Sequence, residues 1–528
     1  AALSCGQGQD GTVAELSGVG GGSADTAAGG TSTASGSSTA SGGWGHTSGA
    51  GGVAGSGGQQ AGAGGRDVAT GGAMDEVRPT IVAAPGTTLV KVDVDKPHQL
   101  FEGWGTSLCW WAHHVGGWSE AARNKVVDAV VDPVAGLGYN IFRYNIGGGE
   151  NPSHEHMSEH REMPGFQRED GSFTWDSDAE QRAVLLRIAE QTNDLVLEAF
   201  SNSPPYFMTE SGCASGSASG RDNLKADYYD DFADYLSEVV LHYRDEYGVI
   251  FRTLEPLNEP FADWWKSNGS QEGCHFDPAS QALIIRQVAQ SLAEKGLTDT
   301  VVSASDENSM DDAVRNLQGF DAETQSLIGQ LNVHSYAGTK RRELRALADQ
   351  LGKRLWQSES GPLGQDISDD LEAALFMAGR IIQDLRELEA EAWVDWQAGD
   401  PSRSWASFTL NDSQQTFTPI KRFFMHAGFS RFIRPGAQLV DIDDSDMVAA
   451  VNKQGDALSI VVRNGSPTET RNYTLDLTSL RNIGQEMRVY RTSREEDLAQ
   501  LDVLSVEDWS VVVSVPPASI TSYVVAIP

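Results

Sequence analysis

Hydrophobic and polar positions alternate through TTLVKVDVD (87–95), the pattern of a strand with one buried face. From Phe101 to Gln397 the pattern becomes a rhythm: a short apolar run, a loop with Gly or Pro, then a longer stretch at helical spacing. The strand-like runs are FEGWGTSL (101–108), NIFRYNI (140–146), LVLEAFSN (195–202), FRTLEPLNE (251–259), VVSASDE (301–307), LNVHSY (331–336), RLWQSES (354–360) and AWVDWQ (392–397). Helical spacing marks 120–132, 227–247, 278–296 and 368–389. Eight strand–helix units over roughly 300 residues predict an α/β fold, the (β/α)8 TIM barrel. An open doubly wound sheet is the alternative, weakened because no GxGxxG follows an early strand.

Beyond KRFFMHAGFSRFIRPG (421–436) the pattern shortens again. MVAAVNKQ, ALSIVVRN, NYTLDLTS, EMRVYRTS, WSVVVSVP and SITSYVVAI are alternating runs separated by turn residues, and predict a fused side β-sandwich. The strand at 87–95 is expected to pair into it. The expected organisation is sandwich strands at 78–98, the barrel at 99–425 and the sandwich proper at 426–528. Residues 17–74 are almost entirely Gly, Ser, Ala and Thr. Such a stretch cannot bury enough apolar surface to offset its ordering entropy, so 1–77 is expected to be a disordered tether.

Charge narrows the partners. Lys and Arg number 39 against 74 Asp and Glu, a net charge of −35. Nucleic acid and anionic membranes need a basic face, so neither is expected as a partner. No apolar run approaches the ~18 residues of a spanning helix. In AALSCGQGQD, Cys5 precedes the Gly/Ser-rich stretch in a context that resembles the end of a bacterial lipoprotein signal. A secreted or cell-surface protein with a lipid anchor at Cys5 is one reading; a stray cysteine in a tail is the other. Cys109, Cys213 and Cys274 show no CxxC and no metal-ligand His spacing, so no metal is expected. Cys213 and Cys274 sit in loop-like contexts that an exported protein could join by a disulfide.

In a barrel of this kind the strands' C-terminal ends carry the chemistry. Glu259, in LEPLNEP, ends the fourth run and Glu359, in LWQSESG, ends the seventh. These strands oppose each other across an eight-membered ring. Two carboxylates facing across a cleft suit glycoside cleavage: one protonates the leaving oxygen, the other attacks the anomeric carbon or activates water. One such Glu alone would read as a surface residue or an ion pair. Asn258 is placed to hydrogen-bond a sugar hydroxyl, and Pro260 to stop the strand. Arg143, in IFRYN, either holds Glu359 ionised or makes a structural ion pair. His334 and Tyr336, in NVHSY, end the neighbouring strand within reach of Glu359; His334 reads equally well as a satisfied core histidine. Trp110, Trp111, Trp264, Trp265 and Trp396 follow strand ends, where indoles can stack on sugar C–H faces. Core packing explains any one of them alone. No HExxH, P-loop or Ca-loop pattern occurs, so no cofactor is expected. The expected partner is a polysaccharide, with the chain acting as a monomer.

FEGWGTSLCWWAHHVGGW, LGYNIFRYNIGGG, LEAFSNSPPYFM, LEPLNEP, LWQSESGP and FSRFIRPG together resemble glycoside hydrolase family 30, from about residue 85 to the C-terminus. The resemblance implies a (β/α)8 barrel with a side β-sandwich and a retaining mechanism. It implies Glu259 as acid/base and Glu359 as nucleophile, supported by Asn258 and Arg143. Within the family, GTSLCWWA, SNSPPYFMTESG and EPLNEP followed by SNGSQEGCHFDPASQ are most similar to endo-β-1,6-galactanases. The glucosylceramidase-like branch carries an acidic residue after its first Gly-x-Gly, where this chain reads TSLCWW. The implied substrate is β-1,6-linked galactan of arabinogalactan side chains. A β-1,6-glucanase, β-glucosidase or xylanase on the same scaffold is the alternative, and a non-catalytic carbohydrate-binding surface protein a further one. Retention requires carboxyl groups about 5–5.5 Å apart rather than about 6.5–9.5 Å. It also requires Glu259 to be the less acidic of the pair.

Overall fold

The computed structural model describes residues 78–362 and 369–528; the segment read as a tether, 1–77, lies outside them. The first strand, β1 (Thr88–Leu100), belongs to two sheets. Its start pairs parallel with Arg471–Asp476, matching Thr88 to Tyr473 and Lys91 to Asp476. Its later part pairs antiparallel with Gln438–Ile442, matching Val92 to Ile442. The alternation at 87–95 is thus a strand that crosses between the two layers of the sandwich.

Eight parallel strands follow and close on themselves: β2 (Gly103–Ser107), β3 (Ile141–Asn145), β4 (Val196–Phe200), β5 (Thr253–Glu255), β6 (Val301–Ser309), β7 (Ile328–Ala337), β8 (Arg354–Ser360) and β9 (Ala392–Gln397). Period two decides what each strand turns inward. On β3, Phe142 and Tyr144 join the large core under the helices, while Ile141 packs with Trp356, Ala392 and Val394 in a small separate cluster. Arg143 shares the Ile141 face. Above that cluster the lumen is polar. Glu198 of β4 accepts from Arg143 Nε at 2.7 Å, Thr253 at 2.7 Å, Ser303 at 2.9 Å and Asn332 at 2.9 Å. Asn332 also donates to Glu255 at 3.2 Å. Burial, then the charges of Asp306 and Glu198, push Glu255 well above the usual carboxylate range.

The sandwich strand Ala457–Asn464 shows how the side sheet is fastened. Leu458, Ile460 and Val462 enter the sandwich core, whereas Val461 enters the barrel core. On the same barrel-facing side, the Ser459 hydroxyl donates to the Phe432 carbonyl at 2.9 Å. Ser522 likewise donates to the Gly428 carbonyl at 2.6 Å, within the helix Lys421–Ser430. The strand Ser519–Ala526 is buried on both faces, and SITSYVVAI accordingly carries hydroxyl and apolar residues but no charge.

Two details differ from the sequence pattern. The fourth barrel strand stops at Glu255, ahead of Pro256, rather than running to Glu259. Proline has no N–H for the ladder, so the first Pro of LEPLNEP ends the strand and Pro260 does not. Cys213 and Cys274 are free thiols, although Gly273 N donates to the Ala214 carbonyl at 2.9 Å and so makes their loops neighbours. Among the described residues no helix is long and apolar enough to cross a membrane.

Candidate active site

Two register shifts aim the acidic groups into the barrel mouth. Between β7 and β8, Val333 pairs with Gln357 but His334 pairs with Glu359, so β8 carries one extra residue. Strict alternation from Trp356 and Ser358 would turn Glu359 outward; the bulge turns it in. A shift between Ser305 and Glu307 on β6 does the same for Asp306, which adopts a left-handed φ of 56°. Glu259, in the turn beyond β5, also has a left-handed φ, of 46°, and its N–H donates to the Asp306 carbonyl at 2.9 Å. Two non-glycine residues in this costly region, tied to each other beside the cleft, mark a site that the surrounding fold holds in place.

A carboxylate oxygen of Glu259, one of Glu359 and a ring nitrogen of His334 lie within 4.8 Å of one another. His334 Nδ1 sits 3.3 Å from Glu259 Oε1 and 3.5 Å from Glu359 Oε1. Its Nε2 lies 3.2 Å from Asp306 Oδ2 but out of hydrogen-bond alignment, so that contact is electrostatic. Burial alone would strip the proton from His334; the Glu359 and Asp306 charges outweigh it and push the imidazole up to about 10. The satisfied-core reading of His334 gives way to a buried imidazolium between two carboxylates.

Glu359 receives Tyr336 Oη at 3.1 Å and Arg143 Nη1 at 3.4 Å. Glu259 receives Asn308 Nδ2 at 2.6 Å. Fully buried Arg143 also donates to Glu198 and to Asp306, so it serves lumen and mouth together. Burial opposes ionisation of Asp306, yet Arg143, His334 and the Ser358 hydroxyl hold it well below the usual carboxylate range. Burial pushes Glu359 up to about 7; His334 and Arg143 oppose this and Glu259 adds to it. That direction runs against the expectation that Glu359 be the more acidic partner. If Glu359 must act as the anion, hydrolysis is expected to fall as pH drops through about 7. A kcat/KM that stays flat from about pH 8 down to about pH 5 would contradict this.

The other expected residues separate into two groups. Asn258 is buried beside Glu259 with its amide oxygen unpartnered, and the Trp110 indole N–H is likewise unpartnered. Trp110 meets Trp396 edge to face at 5.1 Å, in a cluster with Cys109, Met163, Phe200 and half-buried Trp405. Trp405 also approaches Tyr336 at 6.4 Å between centroids. Trp111, by contrast, belongs to the main core: it is 1% exposed, stacks edge-on against Phe408 and donates to the Ser107 carbonyl at 2.8 Å. It cannot meet a sugar ring. Trp265 supports the site from below, its indole N–H donating to the Glu259 carbonyl at 3.1 Å. Asp306, Asn308 and Trp405 were not singled out in the sequence. SDENS and PSRSW carry no motif, and only the register shifts and loop path bring them here.

The sequence profile of O-glycosyl hydrolase family 30 matches residues 87–403. An endo-β-1,6-galactanase of Hypocrea rufa is 34% identical over 424 residues, covering 76% of this chain and 86% of that protein. An exo-β-1,6-galactobiohydrolase of Bifidobacterium longum subsp. longum is 26% identical over 405 residues, covering 56% of this chain and 26% of that much longer protein. Among solved structures, the catalytic domain of the family 30 xylanase C from Talaromyces cellulolyticus superposes with a TM-score of 0.64 at 18% identity, over 83% of this chain and 99% of that one. Barrel, side sandwich, paired carboxylates and profile agree, and the chain belongs to glycoside hydrolase family 30.

Proposed function

We propose that the protein cleaves β-1,6-linked galactan, such as arabinogalactan side chains, by a retaining double displacement. The observation that carries the mechanism is the approach of the Glu259 and Glu359 oxygens to within 4.8 Å. An oxygen pair that close fits the short carboxyl separation of retaining enzymes. The linkage rests on similarity to the Hypocrea rufa endo-β-1,6-galactanase.

In the first step Glu359 attacks the anomeric carbon. The bond to the leaving oxygen breaks as Glu259 donates its proton to that oxygen. The product is a glycosyl ester on Glu359 with inverted configuration. In the second step Glu259 takes a proton from water, the water oxygen attacks the same carbon, and the Glu359 carboxylate leaves. The Tyr336 hydroxyl and Arg143 stabilise the departing carboxylate. The unpartnered Asn258 amide oxygen is free to accept from a sugar hydroxyl. The Cys5 context, similar to a lipoprotein signal, supports action at the cell surface, where such a polysaccharide is met.

The test is product analysis on β-1,6-galactan, with β-1,3-galactan, laminarin, pustulan and xylan beside it. Oligosaccharides are expected from β-1,6-galactan alone. Release from pustulan or xylan instead would keep the mechanism and discard the galactan assignment. No release from any of them by folded protein would favour the carbohydrate-binding reading.

A further inference from the structure

Away from the catalytic carboxylates, two loops at the C-terminal face of the barrel bring three soft donors together. His154 and His156 lie in the loop after β3, and Cys213 in the loop after β4. One ligand atom from each lies within 4.8 Å of the others. The two imidazoles stack at 4.6 Å. Along the chain Cys213 stands 57 residues from the nearer histidine, so no spacing rule exposes the trio.

The local wiring presents one nitrogen of His156 to this group. His156 Nδ1 lies 2.8 Å from the His154 carbonyl and 3.1 Å from Glu150 Oε1. Glu150 is itself fixed by the backbone N–H groups of His156 at 2.5 Å and Met157 at 2.6 Å. A histidine whose Nδ1–H is held by a carbonyl and a carboxylate offers Nε2 as its lone pair, the arrangement found behind metal-binding histidines. That Nε2 points to the Cys213 loop, 2.9 Å from Ser215 Oγ. Cys213 is buried with its N–H on the Ser211 hydroxyl at 3.1 Å, while His154 is exposed.

We propose that His154, His156 and Cys213 form a site for a borderline divalent cation of the Zn2+ class, clamping the loop after β3 to the loop after β4. Two imidazoles and a thiolate are a zinc donor set, with water completing the tetrahedron. Bonds of about 2.0–2.3 Å require the donors to close by on the order of 1 Å. On coordination the Cys213 thiol gives its proton to solvent and the sulfur lone pair forms the metal bond, so uptake releases one proton. Glu150 acts as a positioning residue, touching His156 and not the ion.

The test is titration of the full reduced chain with Co2+, which reports a thiolate ligand by its sulfur-to-metal charge-transfer absorption, followed by displacement with Zn2+. One equivalent of Co2+ is expected to produce the band and Zn2+ to erase it. Cys213→Ser should abolish the band, and Glu150→Gln should weaken affinity by about 10–100-fold. His154→Ala alters only an exposed side chain, so it remains decisive if Cys213→Ser fails to fold; at least about tenfold weaker binding is expected. The thiolate band separates this site from the Glu259–His334–Glu359 group, which offers no sulfur. Absence of the band, or a band unchanged in His154→Ala and His156→Ala, would overturn the proposal.

Discussion

Glu359→Gly is expected to lower kcat on the order of 10⁴-fold or more, because no other group can form the glycosyl ester. Azide should then restore turnover of an aryl β-1,6-galactobioside and yield the α-glycosyl azide, since a small anion can attack directly from the vacated face. Glu259→Ala should behave differently. With a leaving group that needs no proton, the ester on Glu359 still forms; its hydrolysis slows by about 10²–10⁴-fold for want of a general base. Azide intercepts that ester and gives the β-azide. Opposite anomers from the two variants would establish which carboxylate does which job. The same anomer from both, or Glu359→Gly within tenfold of the wild type, would sink the assignment. Product configuration is needed here because proximity alone does not divide the roles of two carboxylates.

The barrel was legible because each strand sits as a short apolar run before a Gly- or Pro-marked loop, and because Glu259 and Glu359 fall in distinctive contexts. What escaped the sequence lies where geometry breaks alternation. Asp306 sits inside what reads as a strand, in VVSASDE, and only the left-handed turn there places its carboxylate on Arg143 and His334. Glu359 was found by its neighbours in sequence, yet its direction depends on a one-residue bulge that no pattern shows. Trp110 and Trp111 are adjacent and chemically identical. A helix begins at Trp111, and its first turn sends that ring into the core and leaves Trp110 beside Trp396. Adjacent aromatic residues cannot be divided between core and cleft from composition; the path of the backbone divides them.

Arg143→Met is expected to cost about 3–5 kcal/mol of stability, a large part of the ~5–15 kcal/mol a folded domain possesses. The guanidinium lies fully buried across Glu198, Asp306 and Glu359, and also stands 4.3 Å over the Phe200 ring. Removing it leaves buried acids with less positive charge, which is costlier than losing an exposed pair. Arg143→Lys should recover little, because one ammonium cannot meet acids that three separate guanidinium nitrogens now reach. The pH dependence follows from Asp306. In the wild type its folded-state pKa lies below its unfolded value, so its contribution is present above the ordinary Asp range and lost as pH falls. Without Arg143, burial raises that folded-state pKa, the folded state binds more protons than the unfolded one, and stability falls as pH rises. Urea midpoints at pH 5 and pH 8 distinguish the cases: the variant should lose more at pH 8. An equal loss at both, or an unchanged midpoint, would mean that His334 and the lumen amides satisfy these carboxylates without the arginine. On the proposed mechanism one residue would carry two duties: holding the polar barrel together and stabilising the Glu359 carboxylate as it departs from the sugar.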